Sequence, residues 1–111
     1  MPFEIFKGKS GKFYFRLKAR NGEIILQSEG YAAKAGAKGG VQSVINNASD
    51  DARFEERETK NGDPYFVLKA KNGEVIGRSE FYKTRQGMRN GMKSVRNNAK
   101  EGVVKDITAE S

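Results

Sequence analysis

Residues 15–23 read Phe15-Arg16-Leu17-Lys18-Ala19-Arg20-Asn21-Gly22-Glu23, and residues 66–74 repeat them as Phe66-Val67-Leu68-Lys69-Ala70-Lys71-Asn72-Gly73-Glu74. The alignment extends without a gap from residues 1–51 onto residues 52–102, and 23 of these 51 pairs are identical. A match of this length predicts two copies of one supersecondary unit, related by a pseudo-two-fold axis. We therefore expect residues 1–111 to form a single domain, with repeat one at 1–51 and repeat two, including a closing strand, at 52–111.

Each copy opens with a pattern of strands. Residues 3–7 are short, aromatic and partly alternating, and residues 13–20 alternate cleanly between apolar and polar side chains. A period of two with one apolar face is typical of a half-buried antiparallel strand. Asn21-Gly22 then predicts a type I′ hairpin, because both residue types tolerate positive φ, and residues 23–28 form the returning strand.

The period becomes helical from about Ala32, and the second copy repeats this change. Asn46-Asn47 and Asn97-Asn98 lie near the two helix ends, and we expect these asparagines to end the helices by adopting the left-handed conformation. We expect Thr84 to cap the N-terminus of the second helix. Glycines inside both helices weaken them, so we expect close packing at these positions. The apolar stripe of the first helix, at spacings of three and four, consists of Ala33, Ala37, Val41, Val44 and Ala48.

The stretch at residues 103–107 follows the second helix as a strand without a hairpin of its own. Such a strand has to add to an existing edge, and the simplest closure places it in the other copy's half of the sheet. The predicted fold class is α+β, with two tandem β3-α(-β) repeats in one mainly antiparallel sheet. Both helices are expected on one face, with the C-terminal strands exchanged between repeats.

Composition excludes several kinds of chemistry. The chain has no cysteine and no histidine, which removes disulfides, thiolate nucleophiles, and the commonest general base and metal ligand. The formal net charge is +7, which favours an acidic partner such as nucleic acid or a membrane surface, whereas solubility is the alternative interpretation. No apolar run approaches the ~20 residues that cross a bilayer, and the chain opens without a charged-then-apolar leader. We therefore expect a cytoplasmic, monomeric protein without a cofactor, a metal or a membrane partner.

Three motifs occur in both copies: Phe-x-Leu-Lys-Ala-x-Asn-Gly-Glu-x-Ile, then Ser-Glu-x-Tyr, then Gly-x-x-Ser-Val-x-x-Asn-Ala. With these motifs the chain resembles, over essentially its whole length, the YegP-like family of small bacterial proteins, whose function is unknown. The resemblance implies two β3-α-β units that share one sheet and swap their C-terminal strands. It implies no catalytic residue. The chain departs from the family at Ala32-Ala33, where a Ser or Thr often enters the first helix.

The first candidate site is a basic stripe on the second helix. Its five cations, at spacings of 4, 4, 3 and 4, cover an arc of about 80°. Like charges at this spacing repel one another, which favours an anionic partner, whereas an ordinary solvated helix face is the alternative interpretation. The stripe consists of Arg85, Arg89, Lys93, Arg96 and Lys100.

The second candidate site is the polar face of the sheet. Cations interleaved with aromatic rings on strands are able to hold phosphates and stack bases, and both copies carry them. Ordinary cross-strand pairing is the alternative, and the RNA-recognition motif of other sheet proteins is absent. The candidate contacts are Tyr14, Arg16, Lys18, Tyr65 and Lys69.

A third polar group lies between the last strand and the helix of each copy, at residues 28–31 and 79–82. We expect Glu29 and Glu80 to accept N–H groups at the helix starts. The leading functional hypothesis is a non-enzymatic binding module for nucleic acid or another polyanion. The alternatives are a protein–protein interaction or stress-related structural role, and an enzyme using a Lys, Tyr or carboxylate group, which a deep cleft around either glutamate would favour.

Overall fold

A computed structural model describes residues 3–108, so the ends of the predicted domain, residues 1–2 and 109–111, lie outside it. The described chain contains seven strands and two α-helices in the predicted order. The strands are β1 (Phe3–Lys7), β2 (Phe13–Lys18), β3 (Ile24–Gln27), β4 (Phe54–Glu58), β5 (Pro64–Lys69), β6 (Val75–Arg78) and β7 (Val104–Asp106), and the helices are α1 (Lys34–Asn47) and α2 (Arg85–Ala99). A short 3-10 helix, Asp51–Arg53, leads into β4.

All seven strands form one sheet in the order β4-β5-β6-β3-β2-β1-β7. The two repeats meet where Gln27 pairs with Arg78, its own equivalent in the duplication, so the pseudo-two-fold axis passes through this pair. At the same seam Leu26 packs over its equivalent, Gly77, where a Cβ would lie 2.9 Å from Leu26 Cγ. The predicted exchange is confirmed, because β7 of repeat two pairs in parallel with β1 of repeat one.

The core lies between one face of the sheet and the two helices. Phe15 and Leu17 of β2 are fully buried, as the alternating pattern predicts, and their equivalents Phe66 and Leu68 on β5 are buried as well. The predicted apolar stripe of α1 is buried from Ala37 onward, whereas Ala33 is exposed because it precedes the helix as its N-cap. The fold class predicted from the sequence is confirmed.

Two of the helix glycines show why a side chain is excluded there. Tyr31 stacks on Phe15 with ring centroids 6.5 Å apart, and together the two rings occupy the space beside Gly40. A Cβ at Gly40 would lie 2.6 Å from Phe15 Cε2, which is closer than real side chains approach. Gly91 meets Tyr82 in the same way. The packing explanation is wrong for Gly39, because a Cβ there would contact nothing within 4 Å.

The hairpin prediction at Asn21-Gly22 is wrong in its turn type. Only the glycine has positive φ, at 86°, and the Gly22 N–H bonds to the Ala19 carbonyl. The Asn21 side chain accepts the Glu23 N–H at 3.0 Å, a local bond that keeps this asparagine at negative φ. The result is a type I turn followed by a glycine bulge.

The predicted left-handed stop at the asparagine pairs is also wrong. No residue other than glycine has positive φ between residues 3 and 108. Asn47 instead donates from its side chain to the Ser43 carbonyl at 2.8 Å, and Asn98 donates to Ser94 in the same way. The prediction of a Thr84 cap is confirmed, since its Oγ1 accepts the Gly87 N–H at 3.0 Å.

Candidate binding face of the sheet

The face of the sheet opposite the helices collects the second group of predicted site residues. Successive residues of a strand point to opposite faces, so the residues of β2 and β5 that alternate with the core positions project from the open face, and all of them are polar or aromatic except the buried Val67. The structure thus places Tyr14, Arg16, Lys18, Tyr65 and Lys69 on one surface. This face holds two charge clusters and a groove.

The first cluster lies in repeat one, around the carboxylate of Glu4. Arg16 donates to Glu4 at 2.7 Å and Lys18 lies 3.3 Å from the same oxygen. The Arg16 guanidinium also lies 4.5 Å from the ring centroid of Phe6, which stacks on Tyr14. Burial pulls the pKa of the Glu4 carboxyl upward, but the hydrogen bonds from Arg16 and Lys18 outweigh it and hold the pKa below its usual value.

The second cluster lies in repeat two, around Glu55. Lys69 donates to this carboxylate at 2.9 Å and Arg57 donates to its other oxygen. The hydrogen bonds from Lys69 and then from Arg57 hold the pKa of Glu55 below its usual value. The lysines and glutamates of the two clusters are equivalent in the duplication, but the arginines come from different strands, β2 in repeat one and β4 in repeat two.

Both clusters leave positive charge available to a ligand. In each of them two cations share one carboxylate, so each cluster carries one net positive charge. Ion pairs on an exposed surface stabilise a protein by about 0–1 kcal/mol, so the cations can exchange a carboxylate for a phosphate at little cost. The clusters therefore combine ordinary cross-strand pairing with a surplus of cations.

A groove of about 630 Å³ runs along the open face at the seam between the repeats. Most of its lining comes from repeat two, including Val67, which stands where repeat one has Arg16. The groove combines aliphatic and aromatic surface with cations and carboxylates at its margins. Its apolar and aromatic lining includes Ile24, Val67, Val75, Tyr65 and Phe81.

Phe81 is the feature of this groove that sequence reasoning missed. Its side chain is 57% exposed, and its ring meets Tyr65 edge to face with centroids 5.3 Å apart. The Arg78 guanidinium lies 6.0 Å from the Phe81 centroid and has no carboxylate partner in the described chain. Comparing the repeats would have pointed to Phe81, since the equivalent residue in repeat one is Gly30.

The glutamates that follow β3 and β6 do not play the predicted capping role. Thr84 caps α2, and α1 has no side-chain cap. Glu29 and Glu80 line the groove instead and are exposed. The neighbouring Ser28 hydroxyl accepts the Phe15 N–H at 2.9 Å and donates to a backbone carbonyl, as the equivalent serine in repeat two does, so both hydroxyls serve the sheet.

The arginines of the basic stripe on α2 pair with acids on β4 and at the turn before it. Arg85 donates to Glu58 at 2.9 Å, and Arg89 lies 3.3 Å from Glu56. Arg96 lies 2.6 Å from a carboxylate oxygen at the turn before β4, at Asp51. These three arginines join α2 to the edge of the sheet, so an anionic ligand would compete with acids already bound there.

Two lysines of the stripe have no ion pair within the part of the chain that the structure describes. Lys93 lies in a polar cleft of about 710 Å³, which Arg20 and Asn21 of the β2–β3 turn border on the other side. Lys100 is exposed at the end of α2. The assignment of the stripe as an anion contact stays a prediction.

Two further kinds of feature are absent from residues 3–108. No group of three or more acidic residues is arranged to hold a metal ion there. No helix in this range is long and apolar enough to span a membrane.

The fold and the open face together define a class: tandem-repeat α+β proteins that share one cross-repeat sheet, with a helix layer on one side and a charged, partly aromatic surface on the other. The chain belongs to the family described as Domain of unknown function (DUF1508), whose model matches it twice, at residues 9–55 and 59–106. Each match begins before the second strand of a repeat and ends in the strand after its helix, so the family unit includes the exchanged strand.

Relatives and solved structures agree with this assignment. The chain is 50% identical to a UPF0339 protein of Mannheimia succiniciproducens over 96% of this chain and 94% of the relative. It is 48% identical to the UPF0339 protein YegP of Yersinia pestis, over 96% and 95%. The solution structure of a UPF0339 protein from Shewanella oneidensis matches with a TM-score of 0.92 at 44% identity, covering 99% of this chain and 95% of that one. The solution structure of yegP from E. coli, a protein of unknown function, also gives a TM-score of 0.92, at 42% identity over 98% and 94%. The resemblance to YegP-like proteins is thus confirmed.

Proposed function

We propose that this protein is a non-catalytic binding module that holds single-stranded nucleic acid on the open face of its sheet. The observation that carries the proposal is the exposed ring of Phe81, which lies in a groove beside Arg78, an arginine without an ion pair among residues 3–108. A base stacks on an exposed aromatic ring whatever its identity, and a neighbouring arginine meets the phosphate. A single strand fits because its bases are free to reach the ring.

The charges of the face support the same ligand. The clusters at Glu4 and Glu55 each contribute one net positive charge, and Arg78 contributes a third, whereas the exposed glutamates of the groove, Glu29 and Glu80, oppose them. If each of these three charges meets one phosphate, the logarithm of the affinity falls with the logarithm of salt concentration at a slope of about −2. Raising the salt fourfold then weakens binding about 20-fold.

Fluorescence anisotropy with a labelled single-stranded oligonucleotide tests this proposal at two salt concentrations. Phe81→Ala should weaken binding by about 1–3 kcal/mol, the usual contribution of one stacked base. Arg78→Ala should reduce the salt slope by about 0.7, because one phosphate contact is lost. Lys38→Ala is the matched control, since it removes one exposed cation from the helix side and should leave the slope unchanged.

Three results would contradict the sheet-face site. These are no binding at low salt, binding that Phe81→Ala leaves unchanged, and a loss that follows Lys93→Ala rather than Arg78→Ala. The last result would place the contact on the basic stripe of α2. Duplex of the same sequence serves as the competitor and should bind more weakly, because its bases are stacked away from the ring.

The proposal of a non-catalytic role rests on the groups around the groove. Glu29 and Glu80 both line it, so the enzyme hypothesis has a cleft of the kind that would favour it. Each glutamate is exposed and has no side-chain hydrogen bond to any residue from 3 to 108, and the serine hydroxyls beside them bond to backbone groups. A general acid or base has to be positioned beside the reacting group, and among the described residues no side chain positions either glutamate. Hydrolysis of the bound oligonucleotide over hours would contradict this part of the proposal.

A further inference from the structure

The two ends of the sheet are built differently, although β1 and β4 are equivalent in the duplication. β1 is covered by β7, which runs parallel to it in the register Phe3↔Val104 and Ile5↔Asp106. β4 has a neighbouring strand on only one side within the described range. A five-residue edge with unpaired backbone groups is a template for another strand.

The hydrogen bonds of β5 show which backbone groups of β4 are free. Phe66 directs its N–H and C=O groups toward Ser79, away from β4. In an antiparallel ladder its partner Glu56 therefore points its own N–H and C=O groups out of the sheet. The equivalent residue in repeat one, Ile5, uses its carbonyl oxygen to accept the Ile107 N–H at 2.9 Å. Glu56 thus offers the groups that already hold a parallel strand at the other end.

The charges beside this edge also match those beside β1. On β1, Lys105 of the added strand lies opposite Glu4. Asp106 pairs at 3.0 Å with the lysine that begins α1. On β4, Glu55 and Arg85 occupy the equivalent positions, a carboxylate on the open face and a cation at the start of the helix.

The geometry points to β4 as the docking edge for an extended segment of a partner protein, added as a parallel strand. The segment carries an apolar, a basic and an acidic residue in succession, the order found in β7. Its backbone bonds to Glu56, its basic side chain meets Glu55, and its acidic side chain meets Arg85. Main-chain bonds supply the affinity of such an added strand, and the alternating side chains supply its specificity.

The test uses the full chain labelled with ¹⁵N and a synthetic peptide with the sequence of residues 102–108, the segment that contains β7. Titration should shift the amide signals of β4 and saturate. The Glu56 amide should exchange with solvent at least about tenfold more slowly when the peptide is bound, because its N–H then has a partner.

Two variants at one position separate backbone docking from side-chain attraction. Glu56→Pro removes the outward N–H without removing a bond to β5, and proline is tolerated on an edge strand. Glu56→Ala loses the same carboxylate but keeps the N–H, so it should bind while the proline variant does not. A peptide methylated on the backbone nitrogens that face β4 applies the same test to the unmodified protein, should the proline variant fail to fold.

The outcomes decide the proposal in either direction. Saturable shifts at β4 that are lost with Glu56→Pro and with the methylated peptide support it. Shifts confined to β1 would show that the peptide only replaces β7, and they would overturn it. Equal binding by the proline and alanine variants, or no shift at millimolar peptide, would overturn it as well.

Discussion

The equivalent strands β1 and β4 differ at the position that faces the helix layer, and the charges at the start of α2 match this difference. In repeat one β7 covers β1, and Ile5 is fully buried. In repeat two the equivalent position holds Glu56, whose carboxylate pairs with Arg85 and Arg89. An isoleucine on an uncovered edge would expose its side chain to water, whereas a carboxylate with two helix cations tolerates exposure. Arg85 and Arg89 of α2 therefore complement the carboxylate on the uncovered strand β4.

The open faces of the two repeats reach the same charge by different residues. Repeat one uses Arg16 over the ring of Phe6, and repeat two has Val67 and Arg57 at the two equivalent positions. Both arrangements give one carboxylate two cations. The groove at the seam is lined mostly by repeat two, so the duplication keeps the charge while the two open faces differ in shape.

The largest expected difference between the repeats concerns the edge position itself. Ile5→Ala should lower the free energy of unfolding by about 2–5 kcal/mol, since a fully buried side chain is lost. Glu56→Ala should lower it by less than about 1 kcal/mol, because its ion pairs are exposed. Urea denaturation measures both values. Equal losses would mean that the two edges are covered alike in solution.

A smaller effect is expected at the helix starts, whose backbones are nearly identical. Ala33 has φ −134° and ψ 152°, and Thr84 has φ −135° and ψ 155°. Thr84→Ala should cost about 1 kcal/mol of unfolding free energy, and Ala33→Thr should gain a similar amount by supplying the missing cap. Thermal and urea unfolding of both variants test this. A destabilising Ala33→Thr would show that the starts of α1 and α2 are not interchangeable.

Lowering the pH should reduce the stability that each of the two carboxylate clusters, around Glu4 and Glu55, contributes. The pKa values of Glu4 and Glu55 are lowered in the folded state, so their stabilisation is fully present above the ordinary glutamate pKa of about 4.3. It is lost as the pH falls through the lower folded values. The double variant with Glu4→Gln and Glu55→Gln should therefore lose less stability than the unmodified protein between pH 5 and about pH 3, measured by urea midpoints. An identical loss would show that other groups cause the acid sensitivity.

The smallest expected effect is a local change in hydrogen exchange at β7, the strand that covers β1. Hydrogen bonds from Thr108, and then from Lys34, hold the pKa of Asp106 well below its ordinary value. Its contribution is complete above a pH of about 3.9 and declines as the pH falls toward the folded value. Asp106→Asn should speed hydrogen exchange of the Ile107 amide at neutral pH, with little change in global stability. An unchanged exchange rate would mean that backbone bonds alone hold β7.

The sequence predicts the fold well because periodicity and duplication are local, repeated signals. The alternation in residues 13–18 identifies the face that is buried, and the repeat places the same face twice. The exchanged strand follows from counting strands, since the last one has no hairpin partner. The turn type and the helix ends were missed because single side-chain bonds, such as those of Asn21 and Asn47, decide them.

The candidate site is harder to predict, since it depends on which residues meet across the fold. A stripe such as Arg85 and Arg89 looks free along the helix, but acids on an adjacent strand face it in the structure. Phe81 carries no periodic signal, because it lies in a connection between strand and helix. The pairing of the stripe and the position of Phe81 both depend on how segments far apart in the sequence meet in the fold.

The pairing of Gln27 with Arg78, and the contact of Leu26 with Gly77, have a consequence for how such a protein can change. In a dimer of identical chains a residue on the symmetry axis meets itself, so an arginine there would face an arginine and a leucine would collide with a leucine. Covalent fusion removes that constraint, and a mutation in one half no longer alters the other. At the centre of the molecule, a fused pair of repeats can therefore place two different residues opposite each other, which a homodimer of identical chains cannot do.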